Sequence, residues 1–248
     1  VVLAEMGYRV SGSDLESNDL TRKIRSLGGR VFIGHGRSNL PKDTEVVVYS
    51  SSVSGGNPEL AEARKRKIPV IHRAEALAEL LNGKSGIAVT GTHGKTTTAS
   101  LISVMLERRR LDPTVIIGGE VDEFGGNAKL GKGGYIVAEA DESDGSFLNY
   151  KPFYSVITNI EMEHIDYFKT LGRALEAYRA FADNLKKGGI LFYNRDDRNL
   201  RAALRGFKGE KMSFGLSKGA DIYPADIEMD GFRTNFVCVY NGKRLGKI

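Results

Sequence analysis

Short apolar runs recur along the chain: Val31-Phe32-Ile33, Val46-Val47-Val48, Ile87-Ala88-Val89, Val115-Ile116-Ile117, Ile136-Val137-Ala138 and Val156-Ile157. Each is too short for a helix and lacks polar alternation, the pattern of a strand buried on both faces. The intervening stretches read as amphipathic helices. The first third predicts the end of a helix over 1–7, a strand over 8–13, a helix over 20–27 and strands over 30–33 and 45–50. A helix over 58–66, a strand over 68–71 and a helix over 73–81 follow. Such alternation is that of a doubly wound parallel sheet, where ligands sit at the carboxyl ends of the strands.

Asn82-Gly83-Lys84-Ser85-Gly86 is a polar, glycine-bearing break, and the domain boundary is placed there. Beyond it the pattern predicts a strand over 87–90, a helix over 95–109 and strands over 114–117, 135–138 and 155–158. A helix over 174–185 runs into Lys186-Lys187-Gly188-Gly189, a cationic end with a glycine stop. A strand over 190–193 and a short helix over 199–204 come next. Asn241-Gly242 between strands at 232–240 and 244–248 is a type I′ hairpin signal. The fold class is therefore α/β. A Rossmann-like domain over 1–82, incomplete at its start, precedes a P-loop-type ATPase domain over 83–248 with a mostly parallel sheet and a small antiparallel part. An opening in mid-helix without methionine reads as a chain whose upstream segment is missing.

Composition narrows this little. The 248 residues are 41% hydrophobic, with 30 glycines lacking any three-residue period, so collagen-like and disordered classes are excluded. Cys238 alone cannot form an internal disulfide, no run is long enough to span a membrane, and no signal peptide is evident, which makes the cytoplasm the expected location. The net charge of +5 raises the question of nucleic acid. The basic runs Arg64-Lys65-Arg66-Lys67 and Arg108-Arg109-Arg110 fall near predicted helix ends, however, where they complement the helix dipole.

The strongest chemical signal is Gly91-Thr92-His93-Gly94-Lys95-Thr96-Thr97-Thr98, between a predicted strand and a predicted helix. Glycines let backbone N–H groups close around a phosphate, a helix N-terminus adds positive potential, Lys95 can reach the β and γ phosphates, and Thr96 can ligate Mg²⁺. The first glycine of a full Walker A is missing, since Val89 holds its place. An apolar strand then emerges into Glu139, Asp141, Glu142 and Asp144, of which Glu139 is the first candidate metal ligand; a solvated acidic loop is the other reading. A second strand end carries Glu161, Glu163, His164 and Asp166. A lone histidine is commonly structural, but two acidic strand ends after one phosphate loop favour a metal site. In the first unit, Asp14 fits either a ribose hydrogen bond or a turn, and His35, Ser50 and Ser51 lie at other strand ends.

Together, Gly91 to Thr98, Glu139 to Asp144 and Thr158-Asn159-Ile160-Glu161 with His164 and Asp166 resemble the Mur ligase family of bacterial cell-wall synthesis. Gly12-Ser13-Asp14, Gly34-His35, Ser50-Ser51, Asn57-Pro58-Glu59, Ile68-Pro69-Val70-Ile71 and Arg73-Ala74-Glu75 extend the likeness over most of the chain. The resemblance implies an ATP-dependent amide ligase that joins L-alanine to the carboxylate of UDP-N-acetylmuramate through an acyl phosphate. It implies Asp14, His35, Ser50 and Ser51 near the UDP-sugar, Gly91, Thr92, His93, Gly94, Lys95, Thr96 and Thr97 around the ATP phosphates, and Thr96, Glu139 and His164 around Mg²⁺, with Mn²⁺ tolerated. Lys95 and His164 would be the catalytic pair. No nucleic-acid or membrane partner is expected, and oligomeric state is left open. The likeness also implies a three-domain protein, of which this chain would lack the opening glycine turn, an adenine-side helix and the closing third domain, and so would not ligate alone. Two alternatives stand beside it. One is the relative that attaches a recycled peptide to the same sugar, where Tyr is expected in place of Ser143; the other is a nucleotide-binding module without catalysis.

Overall fold

The computed structural model describes residues 1–248. Its first part runs α1 (Val2–Glu5), β1 (Ser11–Asp14), α2 (Asp19–Ser26), β2 (Arg30–Ile33), β3 (Val47–Tyr49), α3 (Pro58–Lys65), β4 (Val70–His72) and α4 (Arg73–Asn82). The second runs β5 (Ser85–Thr90), α5 (Lys95–Arg108), β6 (Thr114–Val121), β7 (Gly126–Lys129), β8 (Tyr135–Glu139), β9 (Tyr154–Ile157), α6 (Ile165–Phe168), α7 (Leu171–Asp183), β10 (Ile190–Asn194), α8 (Arg198–Ala203), β11 (Glu210–Phe214), β12 (Ile222–Asp230), β13 (Arg233–Tyr240) and β14 (Lys243–Lys247).

The first part does not form the single sheet expected of it. Its strands pair as two separate parallel ladders, β1 with β2 and β3 with β4, and no backbone hydrogen bonds join the two. The strand expected over 8–13 begins only at Ser11, because Gly7 turns the chain at φ +88° and Tyr8 lies exposed beyond it. Local signals otherwise act as expected. Asn18 caps α2 by accepting from the Thr21 N–H while Thr21 accepts from the Asn18 N–H. Pro58 occupies the first turn of α3 behind its Asn57 cap.

In the second part ten strands form one sheet in the order β14-β13-β12-β11-β10-β9-β5-β8-β6-β7. From β12 to β6 every neighbouring pair is parallel; β7 at one edge and β13 and β14 at the other run antiparallel. β5 is buried along nearly its whole length, and its alternate residues feed opposite faces. Ala88 joins Ile136, Ala138, Ile157 and Leu191 beneath Phe147, Tyr178 and Phe181, whose rings pack edge-on and stacked. Ile87 and Val89 join Val115, Ile117, Val137 and Val156 beneath Ala99 of α5. The larger core also takes in Ala74, Leu77, Ala78 and Leu81, so α4 packs on the second sheet although the sequence break follows it.

That break is shorter than it reads. Ser85 and Gly86 already lie in β5, and a Cβ at Gly86 would stand 2.6 Å from the Leu81 side chain, so the glycine admits α4 against the strand. Likewise α7 ends at Asp183, with Lys186 and Lys187 beyond it. The Lys186 amide donates to Pro152 O at 3.0 Å and its ammonium to the carbonyls of Asn82 and Lys84, so the cation serves the end of α4 instead of its own helix. The expected hairpin is present, with Asn241 and Gly242 both at positive φ. Three strands that the pattern did not predict, β7, β11 and β12, lie toward the edges of the sheet. No helix is long and apolar enough to cross a membrane.

Candidate nucleotide and metal site

β5 has β8 on one side and β9 on the other, so the segments leaving these three strands converge at their carboxyl ends. Gly91 leaves β5 at φ +130° and Gly94 enters α5 at φ +79°, backbone shapes that L side chains rarely adopt. The turn is held from beneath by the segment after β9. Thr92 N–H donates to Asn159 O at 3.1 Å, His93 N–H donates to Asn159 Oδ1 at 2.9 Å, and Asn159 Nδ2 donates back to His93 O at 3.0 Å. Thr158 Oγ1 donates to His93 O at 2.6 Å, and Glu161 N–H donates to Thr92 Oγ1 at 2.8 Å. No side chain caps α5. Its first-turn N–H groups, with Thr96 and Thr97 exposed beside them, are left for an anion.

Lys95 bends back over this turn. Its ammonium donates to Gly91 O at 2.7 Å, Thr92 O at 3.2 Å and Glu142 Oε1 at 2.9 Å. Glu142 is 1% exposed, and burial pushes its carboxyl above the ordinary range despite the lysine beside it. His164, at φ +51° ahead of α6, brings Nε2 within 3.5 Å of the same oxygen. Below them Tyr178 buries its hydroxyl without a hydrogen bond, facing Thr90 and Thr92, and burial raises that group strongly.

Glu139 ends β8, where its Oε1 accepts from the Gly118 N–H at 2.8 Å. A Cβ at Gly118 would stand 3.0 Å from Glu139 Oε2, and one at Gly119 would stand 2.8 Å from the Thr96 methyl. Each glycine thus admits a neighbouring side chain close against β6, the Glu139 carboxylate at Gly118 and the Thr96 methyl at Gly119. A carboxylate and a threonine hydroxyl are donor types that suit Mg²⁺. No three His, Cys, Asp or Glu side chains converge as a metal site, and the pairing recorded for His164 is with Glu142. His93 reaches outward to Glu161 and Glu163, at 3.6 and 3.7 Å.

The residues expected near a sugar divide into two groups. Ser13 Oγ is 2.9 Å from His35 Nδ1, and His35 lies 3.8 Å from Glu59, which accepts from the Gly36 N–H at 3.1 Å. Asp14 accepts from the Glu16 N–H and the Asn18 amide, both at 3.4 Å. In the second group Ser50 pairs with Ser52 at 2.7 Å. Ser51 Oγ donates to Asp144 Oδ2 at 2.7 Å and stands 2.9 Å from His72 Nε2, linking the first part of the chain to the acidic turn after β8. His72 Nδ1 accepts from the Ala74 N–H at 3.3 Å, so the group is a hydrogen-bonded junction, not a nucleophilic triad in which that nitrogen would face the acid.

Burial alone would raise the Asp144 carboxyl. The Ser146 and Ser51 bonds and nearby His72 outweigh it and hold the group below its ordinary value. An acid lowered in the folded state contributes stability above its unfolded value and loses it as pH falls through the folded one. The deficit of Asp144→Asn relative to wild type in urea unfolding should therefore be largest near neutrality and shrink as pH falls through the carboxylate range. An equal deficit at pH 7 and pH 3 would contradict this.

The sequence assigns no individual role to Glu142, His72 or Tyr178, and Glu59 stands out in it only as part of the phrase Asn57-Pro58-Glu59. Glu142 stands among four acids with no spacing to distinguish it, and His72 lies between two recognised phrases.

Residues 89–247 match the Mur ligase middle domain, and residues 1–85 match the family described as Mur ligase family, catalytic domain. The chain is 46% identical over 248 residues to the UDP-N-acetylmuramate--L-alanine ligase of Trichlorobacter lovleyi, covering all of this chain and 54% of that protein. Among solved structures, the UDP-N-acetylmuramate-alanine ligase of Thermotoga maritima superposes at TM-score 0.85 and 28% identity, over 99% of this chain and 55% of that one. A UDP-N-acetylmuramate:L-alanyl-gamma-D-glutamyl-meso-diaminopimelate ligase from Neisseria meningitides superposes at TM-score 0.88 and 25% identity, over 100% of this chain and 81% of that one. The chain spans about half the length of the curated relatives it matches.

Proposed function

The chain belongs to the Mur ligase family, and on that footing we propose that it binds MgATP at the turn between β5 and α5 and serves the joining of L-alanine to UDP-N-acetylmuramate in peptidoglycan precursor synthesis. The observation that carries the reading is that turn, with an uncapped helix N-terminus and Lys95 bent over it. Residues 1–82 would hold the UDP-sugar through Asp14, His35, Ser50 and Ser51, and residues 83–248 the nucleotide. Both substrates are cytoplasmic metabolites in this reading.

A carboxylate is a poor acyl donor because oxide would have to leave. Transfer of the γ-phosphoryl group to it gives an acyl phosphate and ADP; the amine of L-alanine then forms the amide bond and phosphate departs with the C–O electron pair. Lys95 and the α5 N–H groups would offset charge on the phosphoryl oxygens in the first step. Thr96 and Glu139, with His164 nearby, would hold Mg²⁺ or Mn²⁺, which supplies further charge neutralisation at those oxygens. Water must be kept from the acyl phosphate.

The Neisseria superposition keeps the peptide-recycling ligase as a second reading. The 46% relative and Ser143, where Tyr is expected in the recycling enzyme, favour L-alanine. In a protein of the relatives' full length, calorimetric titration with MgATP, UDP-N-acetylmuramate and NAD should show binding of the first two, and ADP release should require L-alanine and not the peptide. Absence of MgATP binding, or tighter NAD binding, would overturn the assignment.

A further inference from the structure

We propose that Glu142 is the positioning residue of the phosphate loop: its carboxylate anchors the Lys95 ammonium over the turn, beside His164, and yields that place to a nucleotide phosphate. The inference rests on the nucleotide reading above. A carboxylate that is 1% exposed is costly to bury without a partner, so its surroundings show what it is for. Oε1 is 2.9 Å from Lys95 Nζ and 3.5 Å from His164 Nε2, while Oε2 lies 3.5 Å from Thr90 Oγ1. Lys95 is the one cation within hydrogen-bond distance of the carboxylate.

The lysine is equally committed. Its three N–H bonds go to Gly91 O, Thr92 O and Glu142, two carbonyls of the turn and one charge beneath it. An arriving phosphate must replace one of these acceptors. The carbonyls belong to a turn pinned by Thr158, Asn159 and Glu161, whereas the carboxylate is carried on a side chain with three rotatable bonds. Glu142 is therefore the acceptor that can yield.

The carboxylate is aimed inward by a rigid segment. Ala140 N–H donates to Val89 O at 2.9 Å, fixing the segment to β5. Gly145 N–H donates to Glu142 O at 3.1 Å, Ser143 N–H to Asp141 Oδ1 at 3.0 Å and Ser146 N–H to Asp144 Oδ1 at 2.9 Å, closing the turn around it. An aspartate here would fall a methylene short of Lys95. A glutamine would keep the reach and lose the charge.

The test is competitive acetylation of the folded chain with acetic anhydride, read at each lysine by mass spectrometry, for wild type, Glu142→Gln and Glu142→Asp. Exposed Lys151 and Lys208 serve as internal references. Losing a charge-assisted hydrogen bond should speed Lys95 acetylation by about tenfold in Glu142→Gln, with the references unchanged and Glu142→Asp intermediate. Mg²⁺ with the non-hydrolysable analogue AMPPNP should slow it in all three. A Lys95 rate within about twofold of wild type in Glu142→Gln overturns the proposal. If that variant fails to fold, all lysines quicken together and Glu142→Asp decides by the same criterion. A rise at Lys95 without AMPPNP protection in wild type refutes the nucleotide reading and leaves only the anchoring supported.

Discussion

Replacing Lys95 with alanine should weaken MgATP binding and phosphoryl transfer by about a hundredfold or more, the scale of losing one charge-stabilising group in a water-poor site. The same change should also destabilise the fold, which a lysine directed only at solvent would not do. Its ammonium is the partner of a carboxylate that is 1% exposed, and removing one member of such a pair costs about 3–5 kcal/mol. The two losses have separate origins and can be separated. Adding Glu142→Leu to Lys95→Ala removes the unpaired charge, so urea unfolding should recover most of the lost stability. Calorimetry should find nucleotide binding as poor as before. Recovery of binding together with stability would mean that Lys95 acts on the fold and not on the phosphates.

The parts of this architecture that were legible in the sequence are those whose cause is local. β5 announces itself by three consecutive apolar residues buried on both faces, the nucleotide turn by glycines at positive φ, and the hairpin by Asn241-Gly242. What was not legible depends on pairing across distance. β7 and β11 gain their strand character from neighbours, with sequences such as Gly126-Asn127-Ala128-Lys129 that carry no period of their own. The division of the first four strands into two ladders is likewise set by which edges meet. α4 reads as the end of the first unit because the polar break follows it, yet Leu77 and Leu81 find their apolar partners on the second sheet. At the site, sequence order places Glu139, Thr96 and His164 in one neighbourhood. It does not show that Glu142, three residues beyond the strand, is the acid that turns inward while Asp144, two further on, meets Ser51 across the junction.

Gly91→Ala should be the most damaging single methyl that can be added to the chain's nucleotide turn. Two independent penalties apply. The backbone sits at φ +130°, a region open almost only to glycine, which costs on the order of 1–3 kcal/mol for another residue. A Cβ there would also stand 2.1 Å from Thr158 Oγ1, 3.0 Å from Asn159 O and 3.1 Å from Asn159 N. Two of these neighbours are backbone, so the collision is not relieved by rotating one side chain. The third, Thr158 Oγ1, holds His93 O at 2.6 Å, so moving it loosens the turn from below. Chemical denaturation should show a loss of roughly 3 kcal/mol or more, and MgATP binding should disappear with it. Adding Thr158→Ala removes the nearest collision but neither the backbone strain nor the contacts at Asn159, and it deletes the bond to His93 O. The double variant should therefore regain little. Full recovery in the double variant would place the whole cost in the Thr158 contact, and near-wild-type stability of Gly91→Ala alone would show that the turn can adopt another shape.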